Sequence, residues 1–287
     1  MARNNEERVG SKARNESPPV SEVASSNSGA LSFATPTEFV ELPTRGRFYS
    51  QDHPLRNEET IEIRYMTAKD EDILTSRSLL KKGLAIDRLL ENIIVDKKIK
   101  SQSLFVGDKN AIIIAARVTG YGEKYDTNIT CPICATTQEH SFNLNDKRAV
   151  GDNSAKFEEY GISETSDHTF TVTLPRTNVT VEVRLLTGAD EKKLSATAEK
   201  RRKHKLPESA MTEQFKLFIV SVNGHTDMNS VHSFIEHMPA SDSRHLRNAY
   251  AAVMPNVDLT QEFACIACGY ETEMEVPFTP DFFWPKR

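Results

Sequence analysis

A chain of 287 residues is long enough to bury a sizeable core in one or two domains. Its formal charge of −5 is spread along the sequence, so composition does not favour a nucleic-acid or membrane surface. The longest apolar runs, such as residues 111–116, are too short to span a bilayer, and the polar N-terminus has no apolar signal region. We therefore expect a cytoplasmic protein whose cysteines stay reduced and free to bind metal.

Residues 1–35 are the first segment in chain order. They are rich in Ser, Asn, Glu, Arg and Ala, contain Pro18 and Pro19, and carry no periodic apolar pattern. The sequence predicts a disordered arm here, because too little apolar surface is present to offset the entropy of ordering. The alternative is a docking arm that becomes ordered on a partner. Deleting an arm of the first kind should leave the melting temperature nearly unchanged.

The next segment, residues 36–146, is predicted to be a first strand–helix half. An apolar lead-in with turn residues precedes its first strand. A helix after this strand should end near Gly83, and the next helix carries an amphipathic stripe of apolar residues between Ile86 and Ile94. The predicted strand covers residues 60–66, and two of the predicted helices cover residues 68–82 and about 108–118.

A second half is predicted over residues 169–287, after a polar, irregular connector at residues 147–168. Its apolar run from Met211 to Val222 is interpreted as one helix that Asn223 and Gly224 stop. The remaining predicted elements are strands at 169–174 and 178–186 and helices at about 189–204, 230–237 and 241–253.

The two halves resemble each other in sequence. Residues 61–74 align without gaps to residues 181–194, and Thr67 and Thr187 are predicted helix N-caps in a capping-box pattern. Asp108 and Asp242 stand at equal distances before their cysteine pairs. The fold class we expect is α+β, helix-rich with few strands, built from two related halves. A chance likeness of strand–turn–helix segments, or a domain inserted into one unit, remains the alternative.

The chain has four cysteines, arranged as two Cys-x-x-Cys pairs in strand-like surroundings: Cys131, Cys134, Cys265 and Cys268. This pattern is typical of a zinc ribbon, in which two turns present four thiolates to one tetrahedral zinc ion. A closed four-sulfur site leaves no position for substrate, so the predicted Zn²⁺ is structural and pins the halves together. The alternatives are unpaired buried cysteines or a redox dithiol.

No catalytic constellation is recognisable elsewhere in the sequence. Its eight histidines are scattered, and neither a nucleophile elbow nor a glycine-rich phosphate loop occurs; residues 107–110 resemble a phosphate turn only superficially. The basic run at residues 199–205 is interpreted as a solvated helix end, with a nucleic-acid contact as the alternative. We therefore expect a protein without enzymatic activity. The competing classes are a zinc-ribbon nucleic-acid-binding protein and an enzyme built from unremarkable residues.

Several blocks of the sequence are recognisable together: residues 41–49, 66–74, 106–110 with 120–122, the first cysteine pair, and residues 282–285 at the end. With these blocks the chain resembles the baseplate hub and hub-assembly chaperone family of T-even-type contractile-tailed phages. The resemblance runs from about residue 38 to the C-terminus and implies a hub subunit or assembly chaperone. It implies binding to other baseplate hub proteins in the host cytoplasm, or incorporation into the virion tail, without a membrane or nucleic-acid partner.

The docking elements of such a protein are expected to be apolar. Candidates are the aromatic tail at Phe282, Phe283 and Trp284 and the helix face near Leu89 and Ile93. The alternative for the tail is that it folds back onto the ribbon hairpin that carries the cysteines.

Overall fold

The computed structural model describes residues 35–146, 148–149, 154–207, 209–277 and 280–283. The predicted disordered arm lies outside the described residues except for Thr35. Trp284 lies outside them as well.

The first part of the fold contains two antiparallel strand pairs with helices between them. In the first pair, Thr37 lies opposite Arg64, and in the second, Lys124 lies opposite Asn143. Its elements are β1 (Thr37–Glu41), β2 (Thr60–Arg64), α1 (Ala68–Thr75), α2 (Arg77–Lys81), α3 (Ala85–Ile93), a 3₁₀ turn at Ser101–Ser103, α4 (Val106–Tyr121), β3 (Lys124–Thr130) and β4 (Thr137–Asn143).

The helix predicted over residues 68–82 is two short helices instead of one. Ser76 has an extended backbone (ψ 108°) and serves both as the C-cap of α1 and as the N-cap of α2. A serine at this position can favour a cap because its hydroxyl competes with helical backbone hydrogen bonds. The amphipathic helix, by contrast, forms as predicted, and its apolar stripe is buried.

The connector predicted to be irregular contains regular structure, so that expectation is wrong for its described residues. It holds β5 (Arg148–Ala149), α5 (Ser154–Tyr160) and β6 (Ile162–Glu164). Strand β6 pairs with the first strand of the following segment, Ile162 lying opposite Val172. The polar composition of this stretch gives no sign of a strand in the sequence. The strand forms because the first strand of the following segment offers it a partner for backbone hydrogen bonds.

The second part of the fold is built around a four-stranded antiparallel sheet in the order β6-β7-β8-β9. The prediction of one helix up to Val222 is wrong at its C-terminal end. The helix stops at Phe218, and the next four residues form a strand. The elements are β7 (Phe170–Thr173), β8 (Thr180–Val183), α6 (Gly188–Lys203), α7 (Ala210–Phe218), β9 (Ile219–Val222), α8 (Met228–His237), α9 (Ala240–Val253), β10 (Val257–Asp258), β11 (Thr260–Ala264), β12 (Glu271–Glu275) and a 3₁₀ turn at Pro280–Phe283.

Helices and strands are mixed, as expected for the α+β class, but the expectation of few strands is wrong: the described residues contain twelve, all short. Two hydrophobic cores form. One lies under the four-stranded sheet, with α7, α8 and α9. The other includes β2, α3, α4 and both cysteine hairpins, among them Phe142 and Phe263. The second hairpin therefore packs on the core of the first half.

The strand–turn–helix segments that align in sequence make matching contacts. Arg64 reaches Asp70 through two guanidinium nitrogens at 2.7 and 2.9 Å, and Arg184 reaches Asp190 at 2.8 and 3.0 Å. Each aspartate also closes a capping box with its threonine N-cap, as predicted. The same short motif thus makes the same arginine–aspartate and capping contacts at both places in the chain.

Two further aspartates, Asp108 and Asp242, are fully buried at the third position of α4 and α9. Asp108 accepts hydrogen bonds from the Thr44 N–H (3.0 Å) and hydroxyl (2.6 Å). Asp242 accepts from the Thr177 N–H (3.0 Å) and hydroxyl (2.7 Å). Each carboxylate therefore ties the start of a long helix to the turn after a strand, which is why these residues stand at equivalent positions.

The block at residues 106–110 is a joint between the two parts of the fold and not a phosphate turn. Gly107 leaves no room for a side chain, because a Cβ there would lie 1.7 Å from the Pro255 carbonyl oxygen. Lys109 pairs at 3.0 Å with both Asp87 and Glu191. The joint thus needs a glycine at position 107 because the backbones pack closely there. It needs a lysine at position 109 because two carboxylates surround that side chain.

Candidate metal centre

The two cysteine pairs lie at the turns of the hairpins β3–β4 and β11–β12, and the two turns share one hydrogen-bonding pattern. Cys131 N–H donates to the Thr136 carbonyl (2.9 Å), and Cys265 N–H donates to the Tyr270 carbonyl (2.8 Å). The residue after each pair donates back to the first cysteine, over 3.0 Å from Ala135 and 2.9 Å from Gly269. We call these two turns the knuckles.

The residue that closes each knuckle has a left-handed backbone. Gly269 has a φ of 68° and Ala135 a φ of 57°. The two knuckles therefore differ here in residue type only, since alanine adopts the same conformation at a cost of about 1 kcal/mol. Both turns present their thiols in the same way despite this difference.

The four sulfur atoms meet at one point, where the two knuckles face each other. All lie within 4.8 Å of one another, with Cys131 and Cys268 3.8 Å apart and Cys134 and Cys265 3.6 Å apart. Sulfurs at about 2.3 Å from a tetrahedral ion are separated by roughly 3.8 Å, whereas a disulfide bond is about 2 Å long. The cluster therefore has the dimensions of a four-thiolate metal site, and all four predicted ligand residues come together.

The electrostatics of the cluster favour a bound cation. Hydrogen bonds from the side chain and backbone of Thr136 lower the pKa of the Cys134 thiol to about 6. At Cys268, a hydrogen bond from the Tyr270 backbone lowers the pKa, but desolvation and the neighbouring sulfurs outweigh it and raise the pKa to about 12. Four thiolates at this spacing repel each other, so full ionisation requires a positive ion among them.

Two glutamines that sequence analysis did not single out hold the hairpins together. Gln138 on β4 donates to the Ala264 carbonyl (2.9 Å) and accepts from the Ile266 N–H (2.9 Å). Gln261 on β11 bonds both the N–H (3.0 Å) and the carbonyl (2.7 Å) of Asn143. We call these contacts the glutamine clamps. In the sequence, each of these glutamines is visible only as a polar residue in a strand next to a knuckle. Such a residue is too common to predict a contact between the hairpins.

Aromatic residues fill the space between the hairpins. The His140 ring contacts both Phe142 (centroids 4.6 Å apart) and Phe263 (5.4 Å), and Tyr125 contacts Phe282 (5.1 Å). Cys131 and Cys265 are buried at the edge of this core, whereas Cys134 and Cys268 are exposed. The centre is therefore half-sheltered, with one cysteine of each pair facing the core.

The predicted docking elements are wrong where the structure describes them. Phe282 and Phe283 are buried, and the Phe282 carbonyl accepts a 2.6 Å hydrogen bond from the buried Arg117. Leu89 and Ile93 are fully buried. Phe282 and Phe283 fold back onto the core, as the alternative interpretation proposed, and Phe282 packs against Tyr125 of the first cysteine hairpin.

The basic run behaves as interpreted from the sequence. Lys200, Arg201, Arg202 and Lys203 occupy the last turn of α6, where cations interact favourably with the helix dipole. Within the described part of the chain, no helix is long and apolar enough to cross a membrane.

The fold and the cysteine cluster define an α+β protein in which two hairpins, distant in sequence, meet at a four-thiol centre. Comparison with protein families gives the class a name. The family described as T4 bacteriophage base plate protein matches residues 38–284, so the chain belongs to this family of phage baseplate proteins. No curated protein and no solved structure matches the chain.

Proposed function

We propose that the protein is a hub subunit or a hub-assembly chaperone of the phage tail baseplate and acts without catalysis, by binding other baseplate proteins in the host cytoplasm. Membership of the baseplate family over residues 38–284 carries this proposal, since baseplates are built from protein–protein contacts. The closed four-sulfur arrangement supports a scaffold over an enzyme, because it leaves no coordination position for a substrate.

We also propose that the cluster binds one structural Zn²⁺, held by Cys131, Cys134, Cys265 and Cys268. Four thiolates with tetrahedral spacing are the ligand set that zinc prefers in structural sites. The ion would neutralise thiolate repulsion and fasten the second hairpin to the first. Structural zinc contributes on the order of 10–16 kcal/mol to the folding of small peptides at neutral pH. Loss of the ion should therefore lower the free energy of unfolding of this protein substantially.

Metal analysis of protein purified without chelator tests the zinc proposal. We expect one zinc per chain, and we expect Cys131→Ser to lose the metal and to unfold at lower temperature. Asn128→Ala, an exposed substitution on β3, is the control and should keep both the metal and the melting temperature. Full-length protein that contains no metal, or a Cys131→Ser variant that retains stoichiometric zinc, contradicts the proposal.

A phage that lacks the protein tests the assembly role. We expect cells infected by it to accumulate incomplete baseplates and few infective tails, and a plasmid copy of the protein to restore both. Mass spectrometry of purified particles beside the infected-cell lysate then separates a hub subunit, present in both, from a chaperone, present only in the lysate. Complete, infective tails from the null phage would exclude both roles.

The nucleic-acid alternative is less well supported near the metal centre. Exposed glutamates at positions 262, 271, 273 and 275 occupy one face of the second hairpin, and such charges repel phosphates. The basic end of α6 is the remaining candidate contact. Binding to DNA or RNA that weakens steeply with salt would favour the alternative.

A further inference from the structure

The knuckles carry two exposed isoleucines that folding of the described residues leaves uncovered. Ile133 is 66% exposed and Ile266 is 83% exposed. Neither supplies a metal ligand. Ile133 directly precedes Cys134 and Ile266 directly follows Cys265, and the sulfurs of these two cysteines are only 3.6 Å apart. Both isoleucines therefore lie at the same end of the paired hairpins.

The backbone beneath these side chains is rigid before any partner arrives. The Ile266 N–H is held by Gln138, and each knuckle is closed by its own turn hydrogen bonds. Apolar side chains on a fixed backbone lose little conformational entropy when they are buried by a partner, which is the condition for an efficient docking surface.

The adjoining face of the second hairpin indicates the charge of the partner. Glu262 lies directly opposite Glu273, and Glu271 and Glu275 flank Glu273 on the same face. Among the described residues, none of the four glutamates forms an ion pair within 4.0 Å. Like charges directly opposite on paired strands are destabilising, so a cationic partner would relieve a strain that the isolated protein bears.

We propose that Ile133, Ile266 and this glutamate face form one docking surface, the knuckle surface, for a segment of another baseplate protein that carries apolar side chains together with lysine or arginine. Apolar contact would supply affinity at the isoleucines, and the glutamates would select a basic partner over an acidic one. The inference rests on the proposed assembly role and names the surface through which that role is exercised.

Complementation of the null phage tests the surface with full-length protein. The double variant Ile133→Ser, Ile266→Ser should lower the yield of infective tails at least about tenfold, as expected when central apolar contacts of an interface are lost. Glu262→Lys combined with Glu273→Lys should act in the same direction. The matched control is Leu206→Ser with Met211→Ser, which removes two exposed apolar side chains elsewhere and should complement fully. All three proteins should keep their metal content and melting temperature.

A photo-reactive benzoylphenylalanine in place of Ile266 identifies what the surface touches in infected cells. We expect cross-links to a baseplate protein segment that contains both basic and apolar residues. Cross-links to an acidic segment, to nucleic acid or to no phage protein overturn the proposal, as does full complementation by the isoleucine double variant. If the null phage itself assembles normally, the assembly role fails instead, so the two failures are distinguishable.

Discussion

At the scale of single residues, the hydrogen-bond partners of a buried carboxyl group decide whether its pKa is lowered or raised. Burial alone would raise the pKa of Asp190, but hydrogen bonds from Arg184 and Thr187 outweigh it and lower the pKa to about 2. Asp70 is held in the same way by Arg64 and Thr67. At Asp108, burial dominates the hydrogen bonds from Thr44 and Tyr49, and the pKa is raised. The capping aspartates therefore stabilise the fold as anions.

The lowered pKa of Asp190 gives a testable pH dependence. Because the folded pKa lies below the unfolded value of about 4, the carboxylate stabilises the protein above pH 4, and this contribution is lost as the pH falls from about 4 to about 2. Asp190→Asn should lower the free energy of unfolding by about 2 kcal/mol at pH 7. The difference between wild type and variant should shrink towards pH 2.

Denaturant titrations at a series of pH values measure this difference, and any metal release common to both proteins cancels in it. Asp72→Asn, on the exposed side of α1, is the control and should change stability little at any pH. A constant gap between wild type and Asp190→Asn from pH 7 to pH 2 would show that the carboxylate acts by shape and not by charge.

At the scale of secondary-structure elements, the two cysteine hairpins are joined by more than their sulfurs. The glutamine clamps bind backbone groups of the opposite hairpin at both ends of the contact, and the His140 ring fills the space between them. The knuckles are therefore brought into position by hydrogen bonds and packing, and the metal would act on an arrangement that is already close to its final geometry.

Gln138→Ala is expected to weaken this arrangement. The change removes the part-buried hydrogen bonds to the Ala264 carbonyl and the Ile266 N–H, and a bond of this kind contributes about 0.5–1.5 kcal/mol. We expect a lower free energy of unfolding and faster transfer of the metal to a chelator. Hydrogen exchange at the Ile266 amide should accelerate most.

Asn128→Ala provides the comparison, since this residue lies on the exposed face of the same hairpin. It should leave both chelator kinetics and exchange at Ile266 unchanged. If Gln138→Ala behaves like this control, the hairpins are held by the metal and the aromatic core alone.

At the scale of the whole molecule, the two parts of the fold meet through close backbone contacts as well as through the cysteines. Gly107 lies against Pro255, and a Cβ on Gly188 would lie 2.5 Å from the Ser101 carbonyl oxygen. The Val106 N–H also donates to the Leu186 carbonyl over 3.1 Å. The joint is therefore a second interface between the two parts of the fold. Together with the contact between the hairpins, it fixes how the two parts are arranged.

Gly107→Ala should damage the joint severely. The added methyl group would meet backbone atoms that cannot rotate away, so we expect a loss of roughly 3 kcal/mol or more in the free energy of unfolding, at the upper end of overpacking effects. Gly83→Ala is the matched control: no atom lies within 4 Å of the new Cβ, and only its positive φ of 64° is unfavourable. This control should lose about 1 kcal/mol. Equal losses in calorimetry or denaturant unfolding would mean that the joint can move apart without cost.

The sequence by itself determined the features that depend on nearby residues. The capping boxes at Thr67 and Thr187 and the buried stripe of α3 follow from spacing along one helix turn, so they could be predicted. The meeting of the cysteine pairs could also be predicted, although they are distant in sequence, because each pair supplies only half of a tetrahedral site.

Tertiary structure alone decided which surfaces are covered and which strands pair. The apolar run into β9 has the composition of a helix, but β8 offers hydrogen bonds that favour a strand from Ile219. The tail phenylalanines are buried because Tyr125 and Arg117, more than 150 residues earlier in the chain, receive them. The glutamine clamps likewise depend on a hairpin from the other half. Local propensity contains no information about such distant partners, so these features are fixed only when the chain packs.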